Sequence, residues 1–194
     1  MTELLPLMTY SIVMSSTPGP NNILLTASGA NFGYRRSLPH IAGIASGHAA
    51  QVFVTCMGLA ALFARVPQLH AALRIAGAIY LVVLAWQLAR SAVGQADMAR
   101  PLSFRQALLF QAVNPKAWVK SITVASVFMP AELGVLAGAA LATVITTVIN
   151  VPCVSMWALF GVAIRRALTD ARRRRVFNVI MAASLLILAL TFIA

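Results

Sequence analysis

Four stretches of this chain carry no Asp, Glu, Lys or Arg: Leu4 to Tyr34, Ser37 to Ala64, Leu133 to Ile164 and Val176 to Ala194. A bilayer is crossed by about 20 apolar residues, so each stretch is long enough to span. Hydrophobic residues make up 60% of the 194 and charged ones 10%, against roughly 45–50% and about 25% in soluble domains. A soluble globular protein is excluded. The net charge of +11 does not point to nucleic acid, because the basic side chains sit in short segments between apolar runs, where they orient a chain in a membrane.

Hydropathy places six spans, at about Leu4 to Phe32, Pro39 to Phe63, Leu69 to Leu88, Phe104 to Met129, Leu133 to Ile164 and Val176 to Ala194. The fourth contains Lys116 and Lys120, so a re-entrant segment is the alternative there. Glu3, where a secretory leader would carry basic residues, predicts that the first span stays as a membrane anchor. Arg35, Arg36, Arg90, Arg100, Arg105, Arg165, Arg166 and Arg172 to Arg175 follow the first, third and fifth spans; only Arg65 and Arg74 lie on the other side. The positive-inside rule then makes those loops cytoplasmic and leaves both termini outside, in the periplasm. The Arg172 to Arg175 run could also attract anionic lipid.

The connection of about residues 90–103, with Gly94, Asp97, Arg100 and Pro101, divides three spans from three. Three-span copies insert in opposite senses, so the chain reads as one all-α transmembrane transporter domain, 1–194. Its half-repeats would be about 1–92 and 102–194, joined by a cytoplasmic linker as a 3+3 inverted-topology repeat. GxxxG spacings at Gly43/Gly47 and Gly134/Gly138 suit close helix packing in each half.

The first and fourth spans are interrupted near their middles, by Thr17-Pro18-Gly19-Pro20-Asn21-Asn22 and by Asn114-Pro115-Lys116. Interrupted backbone in hydrocarbon is tolerated only where it lines a cavity or meets protein partners, and breaks at matching places in two halves point to a transporter's binding site. The candidate substrate-binding residues are therefore Pro18, Gly19, Pro20, Asn21, Asn22, Asn114, Pro115 and Lys116. His48, Lys120 and Asn150 are candidate coupling or pore-lining residues. With no Asp or Glu deep in any span, a metal site is not expected. A zwitterion with its carboxylate near Lys116 fits better than a cationic substrate.

Thr17 to Asn22, Gly33-Tyr-Arg-Arg36, Gly77-Ala-Ile-Tyr-Leu81 and Asn114 to Lys116 together resemble the LysE/RhtB amino-acid exporter family along essentially the whole chain. Asn150, Val151, Cys153 and Trp157 look most like its cysteine/O-acetylserine exporter branch. The resemblance implies a bacterial inner-membrane secondary exporter of small neutral amino acids or derivatives (cysteine/O-acetylserine, threonine/homoserine or similar). It would be driven by protons and need no cofactor. Members often carry an acidic residue in the second span, where this chain has His48. The expected partners are an amino-acid substrate, the proton and membrane lipid, with no nucleic acid and an open oligomeric state that includes a homodimer. Two other readings stand beside it: a membrane thiol-disulfide electron carrier using Cys56 and Cys153, and a non-transporting scaffold.

Overall fold

A computed structural model describes residues 4–59, 65–90, 100–168 and 170–193. Residues 91–99, with Gly94 and Asp97, lie outside the described residues, so the linker expected there is described only at its edges. The end of the second expected span, 60–63, also lies outside them, as does Glu3.

The helices are α1 (Leu4–Ser16), α2 (Pro20–Phe32), α3 (Tyr34–Val54), α4 (Pro67–Arg90), α5 (Phe104–Val113), α6 (Pro115–Thr123), α7 (Val135–Arg165) and α8 (Ala171–Ile193). Single π-type turns, Thr55–Leu59 and Val124–Phe128, continue α3 and α6. The described residues contain helices and connections only. Four continuous helical stretches are long and apolar enough to cross a membrane: Tyr34–Leu59, Ala71–Arg90, Val135–Arg165 and Ala171–Thr191. The other two apolar regions are each split into two short helices.

Both splits have a local cause. Gly19 is fully extended and Pro20 takes the first position of α2, where its missing N–H and fixed φ do no harm. Pro115 does the same for α6 and forces the preceding Asn114 out of helical geometry (φ −84°, ψ 106°). The Asn114 side chain then accepts the Lys116 N–H at 3.1 Å and caps the new helix.

Helix boundaries depart from the hydropathy boundaries wherever a cap decides them. Arg35 and Arg36 do not form a loop: Gly33, at φ 85°, turns the chain in one residue, and both arginines lie in the first turn of α3. The last helix starts before the arginine run, because Asp170 accepts the Arg173 N–H at 2.7 Å and caps it. Gly134 is not a packing glycine. It has φ 75° and precedes α7, with nothing within 4 Å of where a Cβ would sit. Gly43 and Gly47 do face a neighbour, the α5 backbone and the Gln111 side chain. The tightest crossing is α2 against α7. A Cβ on Gly29 would strike the Ala158 carbonyl, and one on Gly161 the Thr26 carbonyl.

Large apolar side chains such as Ile79, Trp86, Leu109, Val148 and Leu190 are exposed on the outside of the bundle. A lipid environment offers no hydrophobic drive to join helices, so close backbone approach at small residues does that work. Antiparallel chain order brings the ends of α2, α4 and α7 and the starts of α3, α5 and α8 to one end of the bundle. Asn31 bonds Asn178 there at 2.8 Å. The eleven arginines named above for the first, third and fifth loops all belong to that end.

Candidate functional site

The two breaks meet in the middle of the bundle. The end of α1 leaves carbonyls without intrahelical partners, as every helix end does, and side chains from further along the chain satisfy them. Asn22 Nδ2 donates to the Ser15 carbonyl at 2.9 Å and the Thr17 carbonyl at 2.8 Å. Lys116, at the second break, donates from Nζ to the Thr17 carbonyl and hydroxyl, both at 2.8 Å, and to the Pro18 carbonyl at 3.0 Å. Gly19 makes room for this reach: a Cβ there would lie 2.8 Å from Lys116 Cδ and 3.1 Å from Nζ. Residues about a hundred positions apart in sequence thus form one polar joint.

A cavity of about 40 Å³ opens beside the joint, lined by Gly19, Pro20, Asn21, Asn22, His48, Asn114, Lys116, Lys120 and Asn150, together with Met14, Ser15, Gln111, Ala117 and Val154. That is room for roughly three waters at about 10–15 Å³ each. Asn21 Nδ2 donates to Gln111 Oε1 at 2.6 Å, and Asn114 Nδ2 donates to the same oxygen at 3.4 Å. Lys120 Nζ donates to Ser15 Oγ at 2.7 Å, and Asn150 Nδ2 donates to it at 3.2 Å. Asn21 Oδ1, Asn150 Oδ1 and His48 Nε2 are buried without partners among the described residues. Each is a group a polar ligand could meet.

No carboxylate stands among the described lining residues. The polar character of the cavity comes from two lysines, amides, one imidazole and the N-terminal, positive ends of α2 and α6. Such a lining suits a ligand that carries a carboxylate together with donors of its own.

Nine of the eleven residues singled out from sequence line this one cavity. Pro18 and Pro115 do not. Pro18 is exposed and contributes only its carbonyl. Pro115 is buried at the start of α6, its ring facing Gly77 of α4. Sequence reasoning missed Ser15 and Gln111, which hold the site together. The available signal was a glutamine three residues before Asn114 in an otherwise apolar run. Cys56 and Cys153 are both free and buried; Cys56 packs with Leu7, Val52 and Val124.

Comparison with known proteins agrees in extent with this architecture. The family described as LysE type translocator matches residues 12–194. The chain is 31% identical over 176 residues, 90% of its own length and 89% of the relative's, to proteins named "Cysteine/O-acetylserine efflux protein". These come from Escherichia coli strain K12, Escherichia coli O139:H28 and Shigella sonnei. No solved structure matches the chain significantly. A match over almost the whole length, on a multi-pass helical chain whose two broken helices meet at one polar cavity, places this protein in the LysE type translocator family.

Proposed function

We propose that the protein is a secondary exporter of a small neutral amino acid or derivative, with cysteine and O-acetylserine, the compounds in its relatives' names, as the first candidates. One observation carries the reading: Lys116 of the second break holds the carbonyls of the first. The substrate ammonium can replace Lys116 Nζ on the Thr17 and Pro18 carbonyls, which leaves that lysine to pair with the substrate carboxylate. Asn21, Asn22 and Asn114 would orient the zwitterion, and His48, with its unpartnered Nε2, would carry the coupling proton.

The broken helices complete six spans in this reading, and the helix pairing supports the inverted 3+3 arrangement. The first span packs on the fifth, the fourth on the second, and the third on the sixth. Exchanging the halves maps this set onto itself. Rocking one half against the other around the cavity would alternate its access. The arginine-rich end is read as cytoplasmic in the bacterial inner membrane, with both termini periplasmic.

Counterflow in proteoliposomes preloaded with unlabelled amino acids tests the proposal. Labelled cysteine or O-acetylserine should accumulate, and Lys116→Ala should reduce that accumulation at least tenfold at equal protein level. Accumulation of lysine in place of a neutral amino acid would overturn the substrate class, and full counterflow in Lys116→Ala would overturn the site.

A further inference from the structure

A second cavity, of about 80 Å³, lies at the arginine-rich end of the bundle. Its polar lining comes from Ser28, Asn31, His40, Gln87 and Arg100, and the rest is apolar. Two of these side chains are already engaged. Ser28 shares its hydroxyl with Ser37 at 2.7 Å, and Asn31 Nδ2 donates to the Ala27 carbonyl and to Asn178. His40 is different. It is 1% exposed, yet neither ring nitrogen has a partner among the described residues. Such double neglect is unusual for a buried imidazole. Arg100 stands at the same cavity, exposed and without an ion pair to a described residue.

The chemistry on offer defines the ligand. A neutral imidazole presents one donor and one acceptor, and Arg100 presents a planar fork that fits a carboxylate. No carboxylate stands among the described lining residues. A small zwitterion fits this pair: its carboxylate faces the Arg100 guanidinium and its ammonium faces the acceptor nitrogen of the His40 imidazole. We infer that this cavity is a second, arginine-end binding site for the amino acid that the central cavity translocates. The inference rests on the export reading above.

The two cavities are joined by the same two helices. On α2, Asn21 lines one and Ser28 the other, about 10 Å apart along the axis at 1.5 Å per residue; on α3, His48 lines one and His40 the other, about 12 Å apart. An amino acid held at His40 and Arg100 is therefore one short step from the central site. Held there first, it would raise the local concentration at the central site.

Equilibrium binding of labelled, reduced L-cysteine to the full chain in phosphatidylcholine nanodiscs separates the two readings. Two molecules per chain are expected, falling to one in Lys116→Ala and to one in His40→Leu, with partial recovery in His40→Gln. Arg100→Ala, on an exposed segment, serves as a second variant should His40→Leu fail to fold by size-exclusion chromatography. It should weaken the second binding event about tenfold. One molecule per chain, lost in Lys116→Ala and indifferent to His40 and Arg100, would overturn the second site and leave the central one standing. One molecule lost only with His40 or Arg100 would overturn the central assignment, and no binding would overturn both. Inorganic phosphate that binds in a His40-dependent way where cysteine does not would make the cavity a general anion site and overturn the inference.

Discussion

Asn21 and Asn22 are neighbours with different work. Asn22 is buried and its amide ties the Ser15 and Thr17 carbonyls, so it holds the break itself. Asn21 reaches Gln111 and keeps a buried, unpartnered Oδ1 at the cavity. Removing a partner from buried polar groups costs about 1–3 kcal/mol. Asn22→Ala, which takes a donor from two carbonyls, should accordingly lower the thermal unfolding midpoint in detergent more than Asn21→Ala, after which Gln111 Oε1 keeps Asn114 as a donor; Asn21→Ala should chiefly impair counterflow. Equal effects of the two on stability would remove the distinction. The motifs showed these residues because prolines and asparagines inside an apolar run have few uses other than a break. Ser15 and Gln111 were not legible. A serine in an apolar helix ordinarily satisfies itself on its own backbone, as Ser121 does here with the Ala117 carbonyl. Only the third dimension gives the Ser15 hydroxyl to Lys120 and Asn150.

At the scale of helices, hydropathy located the apolar regions and the prolines located both breaks, but the starts of α3 and α8 follow from Gly33 and Asp170. Helix starts answer to caps, while hydropathy answers to lipid; arginines in a first turn at the membrane edge satisfy both by staying hydrated. The sequence search for small-residue pairs found Gly43 and Gly47 but assigned Gly134 the wrong role. It passed over Gly29 and Gly161, because a crossing glycine is recognisable only beside its partner helix. That crossing predicts a large effect. Overpacking typically costs about 1–3 kcal/mol, and here the obstruction is rigid backbone rather than a movable side chain. Gly161→Val should therefore lower the unfolding midpoint or prevent folding, while Gly138→Ala, whose Cβ would meet the Pro130 carbonyl at 2.7 Å in a short connecting turn, should be milder. A Gly161→Val protein as stable as wild type would show that α2 and α7 can separate without penalty.

For the whole molecule, charge decides orientation. Eleven of the fifteen Lys and Arg residues belong to one end, Arg65 and Arg74 to the other, and Lys116 and Lys120 to the cavity. Short flanking segments of that kind set topology through their Lys and Arg content rather than through net charge. The two exposed positions Ser103, at the start of α5, and Glu132, in the turn before α7, lie at opposite ends of the split fourth span. In a Cys56→Ser, Cys153→Ser background, Ser103→Cys should react with an impermeant maleimide only in inside-out vesicles and Glu132→Cys only in right-side-out ones. The same background carries a second consequence, since both thiols are free and buried and Cys56 packs among apolar side chains as a small hydrophobe; counterflow should survive their replacement. Loss of counterflow in well-folded double-serine protein would favour the thiol-carrier reading over the exporter. Labelling with the opposite sidedness would turn the arginine-rich end outward, and the His40 and Arg100 cavity would then face the compartment into which an exporter releases its cargo. Labelling of both positions from the same side would mean that the fourth segment is re-entrant. The 3+3 exchange of halves would fail, because the two broken helices could no longer cross in opposite senses.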